Sequence, residues 1–365
     1  MLHPPRLCFV PRRRWRAIAV VAFACAAARM SPAEASPGLV GTRHLGMGEA
    51  SRASSRGTGA MLINPANLGA TRQFEIAPVY QARIEDNTHG VGILAMDSLN
   101  NQRFALGLGY LATLGGPKVT YVDAMDKPQT LRMVHVGHEV SLPISVNAVL
   151  GWLAFGVRPK FQFTALRFED ADGTKQDARA EQTAFGLDVA ASFSARRWLT
   201  VSVIGYNLAG PSPLTKDLNL APIVYKPDTL DRSRVSPVAD YARSLSHGLA
   251  VFPTGDPGFS LNFDGTYDFT SYWWDNHHTR MVFAGGAEYT VRNLVPLRLG
   301  GYWDGRGRGK DDDRGYIAAG LGYFRSPPKG AVGFDLGIGF SRQITGPAPD
   351  TRIGITLALL LNPGT

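Results

Sequence analysis

The sequence predicts an all-β protein: a 14-stranded antiparallel transmembrane β-barrel behind a short N-terminal plug. Three observations predict it. Long stretches alternate apolar with polar residues, their number is even, and the connections between them are long at one end and short at the other. Composition agrees. Of 365 residues 41 are Gly and 24 Pro, with 44% hydrophobic and 19% charged. A mean hydropathy of -0.08 excludes a bundle of membrane helices, which repeats apolar runs of about 20 residues. The glycine content excludes a coiled coil, and aromatics spread along the chain exclude disorder.

The first 35 residues read as a secretory signal peptide. Arg12, Arg13, Arg14 and Arg16 precede the apolar run Ala17 to Ala28, and Ala33-Glu34-Ala35 supplies a cleavage signature. Twelve apolar residues are too few to span a bilayer as an anchor. Cys25 is a poor lipoprotein site after Ala22 and Phe23, and the arginines match a twin-arginine signal only in the pair itself. Cleavage after Ala35 removes six arginines and one glutamate. The exported chain then carries 32 basic and 29 acidic residues, a net +3 instead of +8, which gives no reason to expect a nucleic-acid partner. Both cysteines, Cys8 and Cys25, leave as well, so no disulfide closes the fold.

The remaining elements follow from period-two patterning. Phe259, Leu261, Phe263, Tyr267 and Phe269 alternate with polar residues, as do Phe185 to Phe193 and Val332 to Phe340. Strands are expected at 74–83, 90–97, 103–114, 131–142, 153–168, 182–194 and 198–208, then at 243–252, 259–271, 279–292, 296–304, 314–324, 331–342 and 351–361. A soluble sandwich or solenoid is the bland alternative, but its strands average about 5–6 residues. Outward connections are expected at 84–89, 115–130, 169–181, 209–242, 272–278, 305–313 and 343–350. The inward turns 98–102, 143–152, 195–197, 253–258, 293–295 and 325–330 never exceed ten residues. Hydrocarbon forbids an open sheet edge, so 351–361 is expected to pair with 74–83 and seal the ring, giving a barrel over 74–365.

Residues 36–73 are not strand-like and precede the barrel pattern. They carry Gly46-Met47-Gly48-Glu49-Ala50 and Asn64-Pro65-Ala66-Asn67-Leu68-Gly69. Pro65 suits the first turn of a helix and Asn64 its cap. An ordinary loop-to-helix turn reads the same way. These motifs, with Gly205-Tyr206-Asn207-Leu208, Gly286-Ala287-Glu288-Tyr289 and Leu297-Arg298-Leu299-Gly300-Gly301-Tyr302, resemble the FadL-type family of outer-membrane transporters for long-chain fatty acids and other hydrophobic compounds. The resemblance implies a 14-stranded barrel blocked by a plug in which Gly46, Gly48, Asn64, Pro65 and Ala66 form the motif. It also implies capture by outer loops and sideways release at a kinked third strand.

Candidate sites follow from that reading. Gly107 and Gly109 mark the third strand as the lateral-gap candidates, unless they only ease barrel curvature. The long connection 209–242 carries Leu214, Leu218, Leu220, Ile223, Val224, Tyr225 and Leu230, and serves as an outer hydrophobic docking groove or as a lid. Arg158 and Lys160 share the lumen face of 153–168, where they meet an anionic head group or balance acids such as Asp188 and Glu288.

No catalytic motif is present, and the chain reads as a non-enzyme with no cofactor and no metal. Asp275, His277 and His278 are adjacent on one loop, a poor arrangement for one ion, and Trp273 and Trp274 fit an interfacial girdle. Asp311-Asp312-Asp313 lacks the spacing of a calcium loop. The chain ends Leu361-Asn362-Pro363-Gly364-Thr365, without the terminal aromatic usual in such barrels. The expected function is passive passage of hydrophobic molecules such as long-chain fatty acids across the outer membrane, with membrane lipids and a hydrophobic ligand as partners. A PorV-like barrel, a non-transporting subunit of a secretion or motility machine with envelope protein partners, is the alternative.

Overall fold

Alternation becomes a closed sheet. The computed structural model describes residues 39–98, 101, 103–122, 125–170, 173–195, 197–210, 243–269, 279–305, 313–325, 332–346 and 349–361. Its strands are β1 (Phe74–Arg83), β2 (Thr88–Asp97), β3 (Phe104–Gly115), β4 (Lys118–Val122), β5 (Pro128–Ser141), β6 (Ile144–Val149), β7 (Leu153–Asp170) and β8 (Lys175–Ala195). They continue as β9 (Leu199–Tyr206), β10 (Ser244–Val251), β11 (Phe259–Asp268), β12 (Arg280–Val291), β13 (Val295–Gly305), β14 (Arg314–Arg325), β15 (Val332–Thr345) and β16 (Thr351–Leu361). Every strand pairing is antiparallel, and β1 pairs with β16 from Phe74↔Leu361 to Arg83↔Arg352, which closes the ring. That ladder skips Ala77 and Pro78, because Pro78 has no N–H to give.

Sixteen strands make fourteen barrel positions. β5 and β6 are one barrel strand, split at Leu142–Pro143 where proline removes a donor, and both lie between β3 and β7. β4 is an extra strand, bonded only to β5. It continues the line of β3 beyond Gly115-Gly116-Pro117, where a side chain at 116 would overlap the Met133 carbonyl. The expected loop 115–130 therefore holds β4 and the start of β5, and the expected turn 143–152 holds β6. The expected loop 169–181 shrinks to a turn because β8 starts at Lys175. Its first residues, KQDARAEQ, lack an apolar face because they continue the strand beyond the lipid belt, where none is required.

The two faces differ as solvent demands. Outward residues such as Leu108, Phe161, Phe185, Phe263 and Leu299 are large, apolar and exposed, with Leu299 at 68%. Trp152, Trp198 and Tyr289 ring the short-turn end of the barrel, and Tyr80, Phe283 and Trp303 ring the long-loop end. Inward residues are mostly polar and buried, including Ser145, Gln162, Asp188, Ser202, Asn262 and Arg298. No described helix is long and apolar enough to cross a membrane.

Candidate functional site: the plug and the chamber beside it

The segment ahead of β1 lies inside the ring, against inward positions of the wall. It forms α1 (Gly41–Gly46), a tight turn, α2 (Gly57–Ile63) and a 3-10 turn over Pro65–Ala70. Gly48 and Glu49 both adopt the left-handed region, at φ 61° and 64°, and reverse the chain. Asn64 organises the second half. Its Oδ1 accepts the Ala66 N–H at 3.2 Å, capping the 3-10 turn that Pro65 begins. Its Nδ2 donates to the Arg52 carbonyl at 2.8 Å and to the Ser192 and Ser202 hydroxyls at 3.0 Å each. Asn64 thus ties plug to plug and plug to wall, and is fully buried.

The wall is shaped to receive this segment. Gly286, Gly300, Gly320, Gly339 and Gly354 occupy inward positions on five successive strands, and Gly286↔Gly300, Gly320↔Gly339 and Gly339↔Gly354 are register partners. Together they form a trench without side chains. A Cβ on Gly286 or Gly300 would overlap the Met47 backbone, and one on Gly46 would stand 2.8 Å from Gly320 Cα. Across the lumen, Gly156 leaves room for Pro65 and Ala66 in the same way. Close backbone approach on both sides is what wedges the plug in place.

Ion pairs then fasten it. Arg43 of α1 donates from Nε and Nη2 to Glu288 at 2.9–3.1 Å, and Arg298 donates to the same carboxylate at 2.6 Å. Asp264 of β11 accepts the backbone N–H of Ser51 and Arg52 at 2.8 Å each and the Arg52 guanidinium at 3.3 Å. Tyr206 donates to the Ile63 carbonyl at 2.5 Å and accepts from Arg52 at 3.2 Å. His44 sits 2.8 Å from the Ser51 hydroxyl; burial first, then Arg52 and Arg43, holds its imidazole well below the ordinary histidine value.

Beside the plug lies a chamber of about 410 Å³, running from α1 to turn residues Asp256, Pro257 and Asn293 at the short-turn end. One wall is apolar: Leu62, Ile63, Val79 and Leu94 line it and belong to a buried cluster that continues through Met61, Leu68 and Leu111. The other wall carries Arg43, Glu288, Arg298 and Asp335.

The structure places the expected residues as follows. Gly46, Gly48, Asn64, Pro65 and Ala66 all lie at the plug–wall contact. Gly107 and Gly109 pair with Met96 and Leu94 of β2 on one flank; on the other, Gly109 pairs with Ser141 and Gly107 donates to the Pro143 carbonyl at 2.8 Å. The register lapses at Gly107 and Leu108 where β5 gives way to β6, and Met61 of the plug and Pro143 occupy the space that a side chain at 107 would need. Arg158 and Lys160 face the lumen, fully buried. Arg158 Nε donates to Asp188 at 2.6 Å and Nη1 to the Met61 carbonyl at 2.9 Å; Lys160 Nζ is 2.8 Å from Asp188. The docking residues Leu214, Leu218, Leu220, Ile223 and Tyr225 lie outside the described residues, as do the signal peptide 1–35, Trp273, Trp274, His277 and His278.

Sequence reasoning passed over Arg43, Arg52, Asp264 and Glu49 as plug fasteners. Each has its partner more than 200 residues away, a separation that leaves no local pattern. The glycine trench did leave one: glycines recur at inward positions of β12 to β16.

A closed antiparallel ring with an apolar belt, a polar lumen and an N-terminal segment wedged inside defines a plugged transmembrane β-barrel of the outer-membrane type. Its structural neighbours are FadL-type channels for hydrophobic compounds. A CymD monoaromatic hydrocarbon channel aligns over 90% of this chain and 99% of its own, with TM-score 0.60 and 13% identity. A Pseudomonas aeruginosa FadL homologue aligns over 89% and 98%, with TM-score 0.56 and 12% identity. The Ralstonia pickettii toluene transporter TbuX aligns over 88% and 98%, with TM-score 0.55 and 12% identity. At these identities the likeness establishes the fold. No protein-family model and no curated protein matches the chain.

Proposed function

We propose that the protein is an outer-membrane channel that passes small hydrophobic molecules, long-chain fatty acids among the candidates, by passive diffusion through its plugged lumen. The observation that carries this reading is the apolar wall of the chamber, Leu62, Ile63, Val79 and Leu94, set directly beside the plug. A buried apolar wall in an otherwise polar lumen favours an apolar solute, and about 410 Å³ falls within the roughly 300–1,000 Å³ of small-ligand sites. Neighbours described as a monoaromatic hydrocarbon channel and a toluene transporter support the solute class.

In this reading the solute leaves either through the chamber toward the short-turn end, which Asp256, Pro257 and Asn293 line, or sideways beside Gly107, where the β3 register lapses opposite Leu142–Pro143. The test is uptake of labelled oleate and of labelled toluene by cells with and without the gene. Faster uptake of either compound with the gene present is expected; equal rates for both compounds would overturn the proposal.

A further inference from the structure

One chain of charges runs from the outer turns into the plug. Glu49, held at φ 64°, accepts from Arg352 Nη1 of β16 at 2.9 Å. Arg352 also reaches Asp350, at 3.1 Å and 3.2 Å, and its guanidinium lies 5.6 Å over the Tyr316 ring. Asp350 accepts two bonds from Arg83, at 3.1 Å and 3.0 Å, and one from the Tyr316 hydroxyl at 3.2 Å. Arg83 continues to Asp86 at 3.3 Å. Asp86 lies in the β1–β2 turn and Asp350 in the β15–β16 connection, both at the long-loop end, and Arg83 and Arg352 are register partners where the first and last strands meet.

Each link depends on the next. Asp350 is buried, yet Arg83 and Arg352 outweigh that burial and hold its carboxyl well below the usual carboxylate range. Removing one member leaves buried charge without compensation on its neighbours. The other ionic ties of the plug, Arg43 to Glu288 and Arg52 to Asp264, end on strand residues, and among the described residues neither is drawn on to an outer turn by a further ion pair.

We infer that Glu49, Arg352, Asp350 and Arg83 form the release catch of the plug, a relay through which displacement of the two outer turns frees the Gly48–Glu49 turn from the wall. When the turns part, Asp350 moves with its turn, Arg352 follows Asp350 through their two contacts, and the contact of Arg352 with Glu49 is pulled apart. The relay is independent of which solute passes, so it stands or falls separately from the transport proposal.

The test is single-channel conductance of the full chain in planar bilayers, with folding checked by the heat-dependent gel migration typical of barrels. Glu49→Gln and Arg83→Met are each expected to raise the open fraction at least about tenfold. The double variant is expected to exceed neither, because both break one series. Arg167→Met, which breaks the Glu181 contact between β7 and β8 away from these turns, is expected to leave conductance unchanged. If Arg83→Met does not fold, Asp86→Asn replaces it, with an open fraction expected between wild type and Glu49→Gln. An open fraction at the wild-type level for Glu49→Gln, for Arg83→Met or for its replacement, or additive effects in the double variant, would overturn the inference.

Discussion

Glu288 and Arg298 face each other as register partners across the β12–β13 ladder, with Arg298 Nε 2.6 Å from the carboxylate. Arg43 of the plug takes up the remaining capacity of the same carboxylate. Two strand motifs that read in the sequence as a hairpin thus build a socket for a third residue some 245 positions earlier. Glu288 holds two guanidinium groups, so its loss leaves both without their acid.

Replacing Glu288 by Gln is therefore expected to weaken plug seating by about 3–5 kcal/mol while the barrel itself still forms. Protease digestion of detergent-solubilised protein checks this: the 39–70 segment becomes cleavable in the variant and stays protected in the wild type.

Gly300→Val places a branched side chain where the Met47 backbone lies. Because position 300 faces the lumen, the lipid-facing belt is untouched and insertion proceeds. The variant is expected to migrate as a folded barrel and to conduct steadily, since the plug no longer fits its trench. A closed, folded Gly300→Val barrel would count against close packing as the seal.

Acidification works on His44. Seated, its imidazole stays neutral, with a value well below the ordinary 6.5; released, it titrates near 6.5. Between those values the released state binds the extra proton, so seating weakens as pH falls below about 6.5, by up to roughly tenfold per unit. Open fraction measured from pH 7.5 down to pH 5 is expected to rise for the wild type and to rise less for His44→Gln. Identical slopes would exclude His44 as the source.

Leu299 tests the outer face. It is the most exposed of the large apolar residues on its strand, and Leu299→Arg at lipid depth is expected to cost about 2–4 kcal/mol of folding free energy. Reversible urea unfolding from vesicles reads this directly, with an exposed turn position such as Asp256→Arg expected to cost far less.

The barrel was legible because lipid imposes a rule on every strand, apolar outward at period two, and that rule is local. Phe259 to Tyr267 shows it plainly, and pairing of 74–83 with 351–361 follows once an edge is forbidden. Strand ends were less legible where lipid stops dictating sequence. The extension of β8 through Lys175 to Ala180 has no apolar face to announce it, and β4, at five residues, is too short for the alternation of Val119 and Tyr121 to stand out. In the plug, Asn64 and Pro65 announced a capped turn from local chemistry alone. The wall contacts of Asn64, at Ser192 and Ser202, depend on strands more than 120 residues away and leave no trace nearby.

The central claim is that the segment ahead of β1 seals an otherwise open ring, and conductance measures that seal most directly. Purified full chain and a variant lacking residues 39–70 are reconstituted side by side in planar bilayers. The full chain is expected to hold the bilayer near its bare conductance, and the shortened chain to add large, uniform, long-lived steps. A shortened chain that folds as a barrel and adds no steps beyond those of the full chain would contradict the account.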